Sequence, residues 1–345
     1  MKHTITGSMR GASVALGGLI VLVTAAVPSV QAQVCEFSLG TDPEELTPDT
    51  FRFCVEAANK DDDTDTVRGD VPAKGDDPST VTLTRGSVGV TSSMTIDGLN
   101  RFTLLNPTST ALILSGGNTL TIAKPITIRT KNDRAYGIWA QNGSNTIDVS
   151  GAIQTEGDEA SGIRAQDGSN MIDVSGAILT KGESAFGILA SGGSNTINLS
   201  GSIQTEGVSA DGILAVGDSN TINVSGDIQT EGNFAYGINV GAGFNNRIDV
   251  SGAILTKGAG AFGILVQLGN NEIDVSGSIR AEGDSGRGII FVEGGNNKID
   301  VSGSIQAEGA ATPGIMAWDG NNAVILSGAI SATGAGSNAV EFLTV

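Results

Sequence analysis

The amino-acid sequence predicts an all-β chain folded as a right-handed parallel β-helix, a solenoid of ~25-residue three-strand coils with a short N-terminal capping helix. Three observations predict it. The tripeptide Val149-Ser150-Gly151 returns at Val174, Leu199, Val224, Val250, Val275, Val301 and Leu326, always 25 or 26 residues on. Each period holds three short alternating apolar runs separated by turn residues, in the approximate form G-I-x-A, N-x-I-D-V-S-G and x-I-x-T-x-G. Glycine supplies 50 of the 345 residues, about twice the ~7 per cent of an ordinary protein. The hydrophobic fraction of 39% is too high for a disordered chain, although aromatics are only 4%.

The chain divides into three segments. Residues 1–32 read as a secretory signal peptide, with Lys2 and Arg10 ahead of an apolar stretch from Ala12 to Val27 and a small-x-small site at Val30-Gln31-Ala32. That stretch is shorter than the ~20 residues of a membrane-spanning helix. Its removal takes the net charge from −18 to −20 and removes His3, the only histidine. A strongly acidic chain repels phosphate backbones, so no nucleic-acid partner is expected. Residues 33–80 read as an N-terminal cap with an acidic loop. Cys35 and Cys54, the only two cysteines, are expected to form one disulfide there, since an even count in an exported chain favours pairing. Residues 81–345 read as the β-helix, with repetition beginning near Val81. Asn118 to Ile122 followed by Ile126 fits the repeat after a two-residue insertion.

Within a coil, Ile147 and Val149 alternate with Asp148, so the aliphatics face inward. Stacked coils then align Ile163, Ile188, Ile213, Ile238, Ile264, Ile289 and Ile315 in one column. Ile153, Ile178, Ile203, Ile228, Ile254, Ile279, Ile305 and Ile330 align in another. A left-handed hexapeptide helix does not fit a period that is no multiple of six. A leucine-rich repeat does not fit so little Leu, nor a propeller a period under ~40. One coil alone buries too little apolar surface to order its backbone, so stability must come from stacking.

Two turn columns follow. Asn145, Asn170, Asn195, Asn220, Asn246, Asn271, Asn297 and Asn322 are expected to form a structural Asn ladder, at a turn where Asn tolerates left-handed geometry. Gly157, Gly182, Gly207, Gly232, Gly258, Gly283, Gly309 and Gly334 are expected to mark a turn that needs positive φ.

Ala135-Tyr136-Gly137-Ile138, followed by Asn145-Thr146-Ile147 and Ile153, resembles the passenger repeats of bacterial autotransporters, and the resemblance covers roughly residues 118 to 345. Thr50 to Asn59, followed by Asp65-Thr66-Val67, resembles the motif that opens many β-helix surface proteins, with Thr47 as N-cap and Pro48 in the first turn. The resemblance implies an exported, non-catalytic protein of the cell surface, outer membrane or extracellular space, serving adhesion or display. It implies a host-surface, extracellular-matrix or polysaccharide ligand. It also implies an outer-membrane barrel, for which this sequence carries no alternating ~10-residue strands. Without a barrel the product would be periplasmic. Ala339-Val340 aligns with Gly314-Ile315, so the sequence stops inside a coil, and a shortened reading frame or a fragment is expected.

The competing reading is a polysaccharide lyase, a hydrolase or a polysaccharide-binding module. Such enzymes gather carboxylates and a basic partner in a cleft walled by long loops, and no coil here carries a long insertion. Gly283-Asp284-Ser285-Gly286 resembles a protease nucleophile motif but has no histidine to serve it. Asp61, Asp63 and Asp65 have calcium-loop spacing, with Thr66 where Gly is needed and Pro72 where Glu is needed. Asp148, Asp173, Asn198, Asn223, Asp249, Asp274 and Asp300 form an outward polar column, read as a solvated face rather than a cation site. Tyr136, Phe186, Tyr236 and Phe262, separated by Ser161 and Asp211, form an aromatic column read as turn packing, with sugar stacking as the alternative. No catalytic residue, cofactor or metal ligand is assigned.

Overall fold

A computed structural model describes residues 34–38, 49–60, 65–70, 79–83, 85–98, 101–284 and 290–343. The signal-peptide assignment for residues 1–32 lies outside the described residues, as do Thr47, Pro48, Asp61, Asp63, Ser285, Gly286 and Ile289. The fold is a parallel β-solenoid with one short helix. Each coil contributes one strand to each of three sheets. In one coil these are Ile138–Gln141 in sheet I, Thr146–Val149 in sheet II and Ala152–Thr155 in sheet III. Among the described residues sheet II has 12 strands, and sheets I and III have 11 each.

Every strand pairs in parallel with its equivalent one coil away, so like residues sit on like residues. Ile147 lies opposite Ile172, Val149 opposite Val174, Ile153 opposite Ile178 and Ile163 opposite Ile188. The strands Thr146–Val149, Thr196–Leu199 and Thr221–Val224 of sheet II alternate half-buried and buried residues, as the two-residue period of a strand requires. The Ile column of sheet I continues through Ile290 rather than Ile289, because Ile264 pairs with Ile290. Further back, Ile153 pairs with Ile128 rather than Ile126. The pairing keeps the inward aliphatics in line, and the two extra residues of the earlier unit are taken up between Ile122 and Ile128.

Pairing also starts upstream of Val81. Strands β1 (Val34–Ser38) and β2 (Asp65–Asp70) open sheet II, and β3 (Ser79–Thr82) opens sheet III. Between β1 and β2 lies α1 (Asp49–Ala58). Its buried Phe51, Cys54, Val55 and Ala58 fall on one helical face and join the end of the main core. The Cys35–Cys54 disulfide ties β1 to this helix. Arg52 Nη1 donates to Ser87 O at 2.9 Å, and Asn59 Nδ2 donates to Gly89 O at 2.9 Å. Asn59 Oδ1 accepts from Thr91 N at 2.8 Å. The Arg and Asn of the opening motif thus bind backbone groups of the first coil, and the helix covers apolar surface that would otherwise meet water.

The Gly157-to-Gly334 column departs from expectation, since none of its glycines has positive φ. What they require is space: a Cβ on Gly207 would stand 1.8 Å from Gly182 O, and one on Gly182 2.0 Å from Gly157 O. The left-handed residue comes two positions later, and most coils place a non-glycine there, including Glu159, Ser184, Ser209 and Phe234. The Asn column is not left-handed either.

These observations reverse the usual expectation for two neighbouring positions. Gly207→Ala should destabilise by about 1–3 kcal/mol or more, because backbone rather than a yielding side chain fills the space. Ser209→Gly, which relieves a φ of 54°, should be neutral or stabilise by up to about 1 kcal/mol. Urea unfolding of the two variants beside the parent chain checks both signs.

Candidate functional site

The three outer faces differ in chemistry, while two buried polar columns hold the coils that carry them. The first buried column is the Asn ladder. From Asn145 to Asn322 each Nδ2 donates to the Oδ1 of the next coil's Asn at 2.9–3.4 Å. The same Oδ1 accepts the preceding Asn's backbone N–H at 2.8–3.0 Å. The second is a Thr column at the corner between sheet III and the next strand of sheet I. There Thr130, Thr180, Thr205 and Thr230 donate Oγ1 to the carbonyls of Ala135, Ala185, Ala210 and Ala235 at 2.5–2.7 Å. Ala281 and Ala307 replace Thr in the later coils.

Sheet II presents the Asp/Asn column, half-buried. Asn198 and Asn223 do more than interrupt it. Asn198 Nδ2 donates to Asp173 Oδ1 at 2.6 Å, and Asn223 Nδ2 donates to Asn198 Oδ1 at 2.7 Å, so two amides carry the column where carboxylates would repel. Nearby, Arg247 bonds Asp249 and Asp274, both at 2.8 Å, and Glu272 at 2.5 Å. Lys298 holds Glu272 below the ordinary carboxylate range through a hydrogen bond at 2.8 Å. At Asp148, burial first and the neighbouring Asp173 second push the pKa up. A shallow groove of about 260 Å³ runs beside Asn198, Ser200, Asn223, Ser225, Asp249 and Ser251.

Sheet I presents the aromatic face. Tyr236 stacks on Phe262 at 4.9 Å with planes 8° apart. Phe262, Leu265 and Met316 form an apolar cluster outside the main core, with Tyr236 and Trp318 packed against it. Tyr136 meets Trp139 edge-on at 6.0 Å. Arg164 lies 5.1 Å over the Tyr136 ring, with Nη1 donating to its hydroxyl at 2.6 Å.

Asp211, read from the sequence only as a break in the aromatic column, is 3% exposed. Burial pushes its pKa up to about 7, against hydrogen bonds from Asn239 Nδ2 and Tyr236 N, both at 2.8 Å. Its signal in the sequence was a charged residue between the aromatics Phe186 and Tyr236 of the column. Sequence gave no sign of its burial, because the column lies outside the core.

The remaining candidates are not brought together into a site. Asp65 is a buried residue at the start of β2, while its two proposed calcium-loop partners lie outside the described residues. Asp284 is described, but Ser285 is not. Among the described residues no group of three or more His, Cys, Asp or Glu is placed to hold a metal ion. No protein-family model, curated protein or solved structure matches the chain.

Two measurements test these polar features. Asn195→Ala leaves the Asn170 N–H and Nδ2 without their acceptor and should cost roughly 2–4 kcal/mol. Asn322→Ala, at the half-buried end of the ladder, should cost less in the same chemical denaturation. Asp211 has a folded pKa above its ordinary value of 3.8, so its stabilising influence is full below about pH 4 and is lost as pH rises through about 7. That loss amounts to roughly 4 kcal/mol at about 1.4 kcal/mol per pH unit. Asp211→Asn should flatten stability between pH 4 and 8, read from thermal unfolding across that range.

Proposed function

We propose that this chain is an exported β-helix of the autotransporter-passenger type, which presents its outer faces for adhesion or display at a cell surface and performs no catalysis. The observation that carries the reading is the Cys35–Cys54 disulfide, set in the helix cap of a repeat whose register continues coil after coil. Disulfides persist in oxidising compartments, which fits export. Constant register gives long faces of fixed chemistry, a property suited to contact over an extended surface. The acidic balance of the chain disfavours nucleic acid and anionic membrane as partners.

The competing reading, a carbohydrate-active β-helix enzyme, has Asp211 on its side, since a carboxyl with a pKa near 7 can serve as a general acid at neutral pH. An assay of polysaccharide cleavage by the parent chain and by Asp211→Asn separates the two. Cleavage that the substitution abolishes supports the enzyme, and no cleavage supports display.

The export reading is tested by producing the whole chain in a Gram-negative host. The expected product begins at Gln33, carries no free thiol and is recovered outside the cytoplasm. A full-length product with two free thiols in the cytoplasm would sink the reading. N-terminal sequencing with thiol labelling of cell fractions supplies the measurement.

A further inference from the structure

The aromatic face offers a more specific reading. We propose that the slot over Ser161 on sheet I binds a neutral saccharide chain running along the stack of coils. The proposal rests on the surface-display reading and names the ligand class of one face.

Both tryptophans and both tyrosines of the chain, Trp139, Trp318, Tyr136 and Tyr236, lie on the outer side of sheet I. The outer faces of sheets II and III carry none of them. From Tyr136 to Tyr236 the column alternates ring and small polar residue: Tyr136, Ser161, Phe186, Asp211, Tyr236. Rings two coils apart stand roughly 10 Å from one another, at about 4.8 Å per coil. Between Tyr136 and Phe186 this spacing opens a slot of about 240 Å³, with Glu159, Arg164, Ser184 and Leu189 completing its walls.

The floor of the slot is a small polar residue. Ser161 is 1% exposed and lines the slot between the two rings. Elsewhere in the column, Thr110 Oγ1 accepts the Tyr136 N–H at 3.2 Å, and Asp211 Oδ1 accepts the Tyr236 N–H at 2.8 Å. At the wall, Arg164 is held in place by Tyr136 and by Gln166, which accepts from Nε at 3.0 Å. Its Nη2 is left without a partner among the described residues.

The chemistry selects the ligand. Sugar hydroxyls both donate and accept, which suits a hydroxyl floor and a guanidinium wall, while sugar C–H groups suit the flanking rings. A polyanion is disfavoured by the net charge of −18. A peptide strand would need a free sheet edge, and this slot lies on a sheet face.

The test is titration calorimetry of the full chain with cellohexaose, maltohexaose, laminarihexaose, chitohexaose and a galacturonate hexamer, with tryptophan fluorescence as a second readout. At least one neutral hexasaccharide should bind. Ser161→Phe should weaken it by about tenfold or more by filling the slot. That variant is compatible with folding, because Tyr236 and Phe262 already stack on adjacent coils. Phe186→Ala should weaken binding to a similar degree. Asp148→Asn, on another face, should leave binding unchanged, with thermal unfolding run on every variant. Failure of all four neutral sugars, preference for the galacturonate hexamer, or undiminished binding by folded Ser161→Phe would each overturn the proposal. Cell fractionation of the same chain reads export separately, so loss of sugar binding with export intact removes this inference alone.

Discussion

Constant register between successive coils is the constraint on which the rest of this molecule depends. A parallel ladder joins each strand to its own equivalent, so every position is repeated along the axis at the strand spacing of about 4.8 Å. A residue is therefore tested against copies of itself. Isoleucine passes that test inside, because a β-branched side chain packs on its like in a pleated column. Asparagine passes it at a buried turn, because its amide is both donor and acceptor and can hand a hydrogen bond to an identical neighbour without end. Glycine passes it where two backbones approach so closely that any Cβ would collide.

The same constraint works against charge. A column of carboxylates at strand spacing accumulates repulsion, and the chain relieves it in two local ways. Asn198 and Asn223 insert amides that donate to their neighbours, and Arg247 inserts a guanidinium shared among Asp249, Asp274 and Glu272. Departures from strict repetition are thus places where like-on-like stacking would be unfavourable. The aromatic column shows the opposite freedom. It lies outside the core, so its members can vary from coil to coil, and that variation creates the slot at Ser161 and the buried carboxyl of Asp211. A face that varies along a rigid repeat can distinguish ligands, whereas a uniform face cannot.

The N-terminal end is governed by the exposed end of the stack. Among the described residues β1 pairs with β2 in sheet II, while the strand Val88–Val90 has no earlier strand beside it in sheet I. The helix Asp49–Ala58 covers this end, burying Phe51, Val55 and Ala58 while Arg52 and Asn59 bond the first coil's backbone. The disulfide attaches that helix to the strand Val34–Ser38, which makes the cap part of the sheet.

Much of the fold was legible in the sequence because the period, the alternation and the turn glycines are each one-dimensional patterns. The three strands per coil, the inward isoleucines and the Asn column could all be read without coordinates. The reason for the glycines could not, since the clash that demands them comes from a backbone one coil, and so some 25 residues, away. Placing the column at Ile290 rather than Ile289 likewise needed the pairing itself. Of the candidate site, the sequence identified the aromatic column and its interruptions at Ser161 and Asp211. Only the tertiary structure decided that Ser161 floors a slot and that Asp211 is buried, because burial on an outer face depends on the rings that neighbouring coils place around it. The amino-acid sequence by itself determined the repeat, since each coil carries the same local preferences. Tertiary structure decided which residues are covered, since covering is a relation between coils that no single coil encodes.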